Sequence, residues 1–486
     1  MSQTGAMAQD GANLSLRIAE HIGRVEFAAL PATSVAATKR AVLDGLGVML
    51  AASGMSRDVL PFIELARCQG GPPQATLLGF GDRVGFSTAA LANGSLAHAL
   101  DYEDAFDAAP THPNASLLPA AFGAVQARGP ISGREFIVAA AAGCDLVCRM
   151  ALSLRRPMEA GGWYPPPILG AHGAVAAVAR LLKLTDVQII DALSLLLCHN
   201  TCPGEIKYSP DTVIRAVREA FPCQAAVQSV LLAERGVRGF AQPLEGRAGF
   251  FRLYADDFYE PSDLLHGLGE RYWIEELSFK QWPCCRGTHA FIEAAQALRR
   301  EHRFDHRDAV RIDVIGDEVQ RMLCEPLAQK RTPRTLIDAK FSLPFTVAVA
   351  LVHDEVTLGS FTPATLQDPV LRGLAAKVSF SVPADGRPRG ADAGQLSIVL
   401  TDGRTLHHEV SRALGGPERP LDDAALHAKF LDCAVRAAVP LKRAEAERVA
   451  ERIWRLELEP DVGALVTVSS PPRRSDPPAG VPASER

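Results

Sequence analysis

The chain has 486 residues, of which 47% are hydrophobic and 22% are charged, and its formal net charge is -5. This composition is typical of a folded globular protein that is long enough for two or three domains. The small net charge and the lack of basic runs beside aromatic residues argue against nucleic acid as a partner.

The N-terminal sequence predicts a cytoplasmic protein. The segment MSQTGAMAQDGANLS lacks the basic start and the apolar stretch of a signal peptide. The most apolar segment, residues 136–154, is interrupted by Asp145 and Arg149. It therefore falls short of the ~20 clean apolar residues that a membrane span needs. A buried helix is predicted here, and no contact with a membrane.

Long helices are predicted through the first half of the chain. Residues 31–54, 168–184 and 185–200 carry apolar side chains at i, i+3 and i+4 spacing. The first of these helices begins after a proline and is expected to stop at Gly54. Their high alanine content indicates close contact between helices, so residues 10–272 are predicted to form the main part of an all-helical domain.

One glycine-rich segment resembles a nucleotide-binding loop but lacks its spacing. The sequence GFGDRVG begins at Gly79, does not match G-x-G-x-x-G and is not followed by a βαβ unit. We therefore predict a turn here.

The first chemical signal is an Ala- and Leu-rich helix with an acidic end. Four acidic residues between positions 101 and 107 are followed by Pro110 and His112. A solvated helix end is one interpretation. Because histidine exchanges protons near neutral pH, a proton-transfer site is the other.

The pattern changes to strands after about residue 270. Residues 308–319 alternate apolar and polar side chains, and residues 394–410 place Asp402-Gly403 between two alternating runs, which indicates a hairpin. We predict a smaller α+β domain over residues 273–415. Helical periodicity returns later, so residues 416–460 are expected to rejoin the helical domain.

Beyond these helices, the Pro, Ser and Arg content of residues 469–486 predicts a disordered tail. The predicted fold class is accordingly mainly α, with a large all-helical domain and a smaller α+β domain.

No metal or other cofactor is predicted. Ten cysteines in a chain without secretory features indicate reduced thiols. Cys284, Cys285 and His289 are close in sequence, but adjacent cysteines lack the spacing of a zinc knuckle, and no cysteines have cluster-like spacing for iron and sulfur. Cys144 and Cys148, one helical turn apart, are expected to face the core.

Five segments, in this order, resemble successive blocks of the MmgE/PrpD family. They are NGSLAHALDYEDAF, THPNASLLPA, GWYPPPILGAHGAVAAVARLL, KQWPCCRGTHAFIEAA and DAKFSLPFTVAVAL. The family includes 2-methylcitrate dehydratase, cis-aconitate decarboxylase and iminodisuccinate epimerase. The resemblance implies a large helical domain with a smaller α+β lid, a homodimer, and a small polycarboxylate substrate.

The resemblance also implies roles for individual residues. Family reactions make or break a bond next to a carboxylate, which needs a proton acceptor, a proton donor and fixed positive charge. Asp101 and His112 are implied as the proton-transfer residues, acting as one unit. Lys280 and Arg286 are the leading substrate-binding residues, since arginine can hold a carboxylate through two hydrogen bonds. A surface salt bridge is the alternative for each of these two cations.

Three positions depart from the family pattern. Arg218, with Arg215 as the second choice, stands in the segment where the family has a lysine. Tyr164 and Cys285 stand where the decarboxylase has histidines. These changes disfavour cis-aconitate decarboxylation and leave Tyr164 as a proton donor to a leaving hydroxyl, since a phenol is a poor base. Arg218 and Cys285 are assigned to substrate binding.

We therefore predict a metal-independent lyase, a dehydratase of a small di- or tricarboxylate such as 2-methylcitrate. Two alternatives remain. One is an epimerase of an iminodisuccinate-like dicarboxylate, and the other is a catalytically inactive relative that only binds.

Overall fold

The computed structural model describes residues 13–109, 111–209, 211–383 and 389–472. In this part of the chain helices predominate, and a small mixed sheet of four strands lies in the second half. This confirms the predicted fold class, mainly α with a smaller α+β part.

Twelve α-helices of the described chain precede residue 270. They are α1 Leu14–Arg24, α2 Ala32–Met55, α3 Leu60–Gln69, α4 Phe86–Ala97, α5 Pro113–Arg128, α6 Gly133–Ser153, α7 Pro165–Leu181, α8 Asp186–Leu197, α9 Ile214–Val217, α10 Ala220–Glu234, α11 Phe250–Ala255 and α12 Pro261–Leu265. The helices that follow are α13 His289–His302, α14 Leu327–Arg331, α15 Leu336–Lys340, α16 Leu343–Val352, α17 Pro363–Gln367, α18 Pro369–Ala375, α19 Asp423–Ala434, α20 Arg443–Trp454 and α21 Val462–Ser469.

Helix α6 lies at the centre of the helical part. It is long and apolar enough to cross a membrane, but 94% of its most apolar window is buried inside the protein. Asp145 and Arg149 are buried in it as an ion pair at 2.5 Å, and Arg149 also donates to the carbonyl of His266 at 2.7 Å. The helix packs closely on α7, because a Cβ at Gly143 would lie 2.6 Å from the Gly173 carbonyl oxygen. The two charges therefore belong to a core helix, with Cys144 and Cys148 buried beside them.

Four strands form the sheet of the second half. They are β3 Ala309–Ile315, β4 Val378–Ser381, β5 Gly394–Leu400 and β6 Thr405–Val410, in the order β4-β3-β5-β6. Strand β3 pairs parallel with β4 and antiparallel with β5. Strands β5 and β6 form the predicted hairpin, whose turn uses Gly403 at a φ of 85°.

A two-stranded hairpin in the first half explains the glycine-rich segment. Strands β1 Ala75–Thr76 and β2 Arg83–Val84 pair antiparallel, and Gly79 and Gly81 lie between them with φ of 75° and 82°. Such positive φ values favour glycine. The segment is a turn, as predicted.

The C-terminal helices pack on the first half. In α19, Lys429 pairs with Asp44 of α2 at 2.7 Å. In the same contact region, a Cβ at Gly54 would lie 2.1 Å from the Arg436 carbonyl oxygen. Gly54 thus serves close packing, and α2 continues one residue beyond it to Met55.

The predicted tail begins too early. Residue 469 is the last residue of α21, and Ser470 is buried, with its hydroxyl accepting a hydrogen bond from Gly79 N at 3.0 Å. The chain is packed here because α21 lies on α5, where Gln126 donates to Thr467 at 2.9 Å. Residues 473–486 lie outside the described part.

Candidate active site

The loop after α4 brings the acidic residues into the protein interior. Helix α4 ends at Ala97, so the acidic cluster lies in a loop and not on the helix end that the sequence predicted. Asp101 adopts a left-handed φ of 50°, and its N–H bonds the His98 carbonyl at 2.8 Å in a tight turn. Aspartate tolerates this conformation better than most residues.

This loop is tied to the second half of the chain. Ala105 and Ser278 exchange two backbone hydrogen bonds, at 2.9 and 2.7 Å. His112 then precedes α5, with Pro113 in the first turn of the helix. Pro110, to which the sequence assigned a chain break, lies outside the described residues.

Three of the four acidic residues are buried, which rules out a solvated helix end. Asp101 and Asp104 are 0% exposed and Glu103 is 2% exposed. Burial, together with the charges of Asp44 and Glu103, raises the pKa of Asp104 to about 8, so that it holds its proton at neutral pH. Burial also opposes ionisation of Glu103, but His98, Lys280 and His112 outweigh it and hold the pKa of Glu103 well below its usual value.

Lys280 neutralises Asp101. Its Nζ lies 2.5 Å from Asp101 Oδ1 and 3.0 Å from the Asp101 carbonyl oxygen, and both side chains are 0% exposed. Burial would lower the pKa of Lys280, but Asp101 and Glu103 raise it above its usual value. Lys280 does not line the cavity described below. Direct substrate binding by Lys280 therefore stays a prediction that this geometry does not favour, because the Lys280 charge is paired with Asp101.

His98 was not singled out from the sequence, yet it lies at the centre of the cluster. Its Nε2 faces Arg218 Nη1 at 2.6 Å, and its Nδ1 contacts Glu103 Oε1. Since a guanidinium can only donate, Nε2 of His98 accepts from Arg218. The ring proton is therefore on Nδ1, which donates a hydrogen bond to Glu103. Burial and the nearby Arg218 charge lower the pKa of His98 to about 3, so it is a neutral hydrogen-bonding bridge.

His112 has the geometry of a base. Its Nδ1 lies 2.8 Å from the Asp104 carbonyl oxygen and 3.1 Å from Glu103 Oε1. Both of these oxygens accept, so Nδ1 carries the proton and Nε2 has the free electron pair. The ring centroids of His98 and His112 are 5.1 Å apart. The immediate partner of His112 is therefore Glu103, and Asp101 is not in direct contact with it as the predicted two-residue unit required.

A cavity of about 550 Å³ lies between the two halves of the chain, next to His112. Four of the seven predicted site residues line it: His112, Tyr164, Cys285 and Arg286. The other three, Asp101, Arg218 and Lys280, lie behind the wall and are buried. Hence the predicted proton-transfer and binding residues separate into a lining group and a supporting group.

Arg215 is the cation that lines the cavity in place of Arg218. Its guanidinium stacks on Phe341 at 3.3 Å from the ring centroid, and in the described chain its Nε and Nη2 have no hydrogen-bond partner. Arg218 instead bonds the neighbouring Glu219 at 2.9 Å, and its side chain is 0% exposed. The preference for Arg218 over Arg215 as the substrate-binding residue is corrected on this ground.

Tyr164 and Cys285 line the same cavity as Arg215. Tyr164 precedes α7 and is 6% exposed, and the Arg215 and Lys207 cations lie 5.9 and 5.1 Å from its ring centroid. Burial raises the pKa of the Cys285 thiol, which therefore stays neutral and offers the substrate only a weak hydrogen bond.

Arg286 joins the two halves of the chain. Its Nε bonds Asp107 at 3.0 Å, and its two Nη atoms bond the carbonyl oxygens of Leu414 at 2.7 Å and Ala413 at 3.1 Å. These contacts fix the segment after β6 against the loop that carries His112. Arg286 reaches the cavity wall with these hydrogen bonds in place.

Four side chains of the cluster could together hold a metal ion. Ligand atoms of His98, Asp101, Glu103 and His112 lie within 4.8 Å of one another. Two of these residues, however, already face cations: Asp101 Oδ1 faces Lys280 and His98 Nε2 faces Arg218. A divalent ion would have to displace both, so the residues fit an ion-pair network better than a metal centre.

The DAKFSLPF segment carries a buried amine that was not predicted from the sequence. Burial lowers the pKa of Lys340 to about 8, and its Nζ donates to the Leu100 carbonyl oxygen at the start of the acidic loop. The segment was one of the five family blocks, and its lysine between apolar residues was the available signal. By contrast, nothing in the local sequence distinguishes Arg215 from Arg218.

Family models match most of the chain. The MmgE/PrpD N-terminal domain matches residues 16–260, and the MmgE/PrpD C-terminal domain matches residues 282–456. The break between the two matches, residues 261–281, contains Lys280, and Arg286 lies near the start of the C-terminal match.

Curated relatives are similar at low identity. The chain is 23% identical to the cis-aconitate decarboxylase-like protein oryM of Aspergillus oryzae, over 94% of this chain and 97% of the relative. It is 25% identical to the cis-aconitate decarboxylase of Mus musculus, over 90% of each chain. A mitochondrial 2-methylcitrate dehydratase of Yarrowia lipolytica is 23% identical over 52% of this chain and 50% of the relative.

Proposed function

Because the chain belongs to the MmgE/PrpD family, whose relatives named above are carboxylate lyases, we propose that it is a lyase acting next to a substrate carboxylate. The reaction we favour is dehydration. The observation that carries the proposal is the meeting of His112, Tyr164 and an unpaired Arg215 in one cavity.

Arg215 supplies the substrate contact. Arg215 lines the cavity and has no ion pair among the described residues, and a largely buried cation holds an anion more strongly than an exposed one. A carboxylate on Arg215 withdraws electrons from the neighbouring carbon. It therefore stabilises the carbanion-like state that forms when a proton leaves that carbon.

His112 is the base. Its Nε2 accepts the proton from the carbon next to the carboxylate, and the C–H electron pair moves into the new double bond. The C–O bond on the adjacent carbon breaks, and the leaving hydroxide takes a proton from the Tyr164 hydroxyl to form water. The imidazolium then returns a proton to the tyrosine oxygen through solvent, so that both residues are restored.

The buried network makes His112 ready for this step. Glu103 is ionised and lies 3.1 Å from His112 Nδ1, so it stabilises the imidazolium that forms during proton transfer. His98 contacts the same oxygen of Glu103, Oε1, and holds this carboxylate in place, and Asp101 with Lys280 fixes the loop. None of these steps requires a metal ion.

Decarboxylation is a second candidate. The sequence matches to the cis-aconitate decarboxylase of Mus musculus and to the decarboxylase-like protein oryM extend over more of this chain than the match to the dehydratase. The cavity wall is also mostly apolar. An apolar wall favours loss of CO₂ because it removes water from a carboxylate that is about to leave. The neutral thiol of Cys285 in place of a histidine speaks against it.

Product analysis by NMR in deuterated water tests the proposal. The purified protein is incubated separately with 2-methylcitrate, citrate, cis-aconitate and iminodisuccinate, and the His112→Gln variant is the matched control. Alkene formation from a hydroxy acid in the wild type alone supports dehydration. Release of CO₂ supports the second candidate, and C–H exchange without turnover points to an epimerase. No reaction and no binding with any of these acids, or with an alkyl-substituted hydroxy acid, would refute the proposal.

A further inference from the structure

We propose that the substrate carries an apolar substituent several carbons long, which binds the apolar wall of the cavity while its carboxylate binds Arg215. This inference rests on the proposed function and specifies its substrate class, an alkyl-substituted carboxylic acid. Citrate-like acids without such a substituent are then poor ligands.

The charges of the cavity support one strongly held carboxylate. Five cations line it, and four of them already pair with carboxylates of the chain. These pairs are Arg155 with Asp263, Arg156 with Asp256, Lys207 with Glu159 and Arg286 with Asp107. Within the described residues this leaves Arg215 as the lining cation without an ion pair. A tricarboxylate would bring three negative charges to one free cation, and unpaired charges are costly away from water.

Most of the remaining wall is apolar and comes from both halves of the chain. The end of α6 and the segment after it contribute Ala151, Leu154 and Met158, α7 contributes Leu169, and the segment after β3 contributes Met322 and Leu323. These side chains offer no hydrogen bonds to hydroxyl or carboxylate groups. An alkyl chain is the ligand group that binds favourably here, because its burial removes apolar surface of the ligand and of the cavity wall from contact with water.

The size of the cavity agrees with this assignment. A citrate-sized acid takes the space of about six water molecules, roughly 180 Å³ at about 30 Å³ per water. The cavity holds about 550 Å³, in the range of sites for larger, mostly apolar ligands. A small polycarboxylate would leave most of the apolar wall in contact with trapped water, whereas a chain of several carbons would displace it.

Calorimetric binding of succinate, butylsuccinate and octylsuccinate tests the inference without requiring turnover. All three share the dicarboxylate and differ in the apolar chain. The dissociation constant is expected to fall about fourfold for each methylene that enters the cavity, which corresponds to ~0.8 kcal/mol. Equal affinity for the three acids would overturn the inference.

Two variants distinguish binding in the cavity from nonspecific binding of the alkyl chain elsewhere on the protein. Ala151→Phe fills part of the cavity at its apolar wall. It is expected to remove the increase in affinity with alkyl chain length, while succinate still binds. The same change at exposed Ala160, outside the cavity lining, is expected to leave the gain intact. A gain that persists unchanged in Ala151→Phe would also overturn the inference. Should Ala151→Phe not fold, the wild-type series alone decides.

The result is distinguishable from a failure of the proposed function. Tight octylsuccinate binding without turnover of 2-hydroxy-3-octylsuccinate, which adds the leaving hydroxyl, supports the substrate class and refutes the lyase. Turnover of citrate-like acids combined with no gain from chain length supports the lyase and refutes the substrate class.

Discussion

Replacing Arg215 by methionine is expected to weaken substrate binding without destabilising the protein. The guanidinium is 5% exposed, and two of its nitrogens have no hydrogen-bond partner in the described chain. A buried cation without a counter-ion lowers the stability of the unliganded protein. Methionine keeps the contact with Phe341 and removes the charge, so the free energy of unfolding should stay the same or rise.

The loss of affinity follows from the lost contact between the Arg215 guanidinium and the substrate carboxylate. Each hydrogen bond to a charged group contributes about 1.5–3 kcal/mol. Two such bonds to one carboxylate are not fully additive, so we expect a loss of about 3 kcal/mol, which raises the dissociation constant by about two orders of magnitude.

Arg218→Met is the matched control, three residues further along the chain. Arg218 pairs with Glu219 and faces His98, and all three are buried. Its removal leaves the Glu219 carboxylate without a counter-ion, which typically costs about 3–5 kcal/mol of stability. The same substitution is therefore expected to act on binding at position 215 and on folding at position 218.

Urea denaturation measures the effect of each substitution on stability. Calorimetric titration with octylsuccinate measures its effect on carboxylate binding. The reasoning is refuted if Arg215→Met unfolds at clearly lower urea while binding is unchanged. It is also refuted if Arg218→Met retains full stability and loses binding, because the pairing inferred for the two arginines would then be reversed.

Further expectations follow from the same contacts. His112→Gln should lower kcat about 10²–10⁴-fold with an unchanged melting temperature; steady-state kinetics showing less than a threefold change would exclude His112 as the base. The pKa of Asp104 near 8 means that the folded state keeps a proton which the unfolded chain releases above pH 4, so this group lowers stability as the pH rises from 4 to 8. Asp104→Asn should lack this contribution, and urea denaturation at several pH values checks the difference from wild type. Lys280→Met should cost about 3–5 kcal/mol in urea denaturation, and adding Asp101→Asn should restore most of it, since no buried charge then lacks a partner. Removal of divalent metals with EDTA should leave kcat unchanged; activity restored by one added metal would contradict this.

The periodic parts of the fold were predictable from sequence. The hairpin at Asp402-Gly403 and the helix over 31–54 follow from local rules, because turn chemistry and apolar spacing act within a few residues. The end of α4 did not follow from them. Ala and Leu continue the helical pattern to Leu100, but the chain turns after Ala97, where the loop carrying Asp101 meets Lys280 and Ser278. Tertiary contacts override propensity there.

The segments that form the site were predictable from the sequence, but the roles of their individual residues were not. The sequence indicated which stretches carry acids, histidine and cations. It could not show which cation has a partner. Lys280 and Arg215 differ in function because Asp101 lies 2.5 Å from one, whereas no described carboxylate pairs with the other. Such distances depend on packing between segments more than a hundred residues apart.

The division of the buried charges supports the proposal that a substrate carboxylate binds in the cavity. Three buried anions each have a buried cation, in the pairs Asp101 with Lys280, Glu219 with Arg218 and Asp44 with Lys429. In these pairs the attraction offsets the loss of hydration, so they hold the loop of His112 and need nothing from outside. Arg215 has no such partner, and its two unsatisfied nitrogens remain a cost in the free protein. A carboxylate that enters the cavity offsets this cost, so part of the substrate's binding energy comes from a charge that the fold itself leaves unpaired. The same carboxylate places the neighbouring C–H bond in the cavity that His112 and Tyr164 share, which is where a base and a proton donor can act on one substrate.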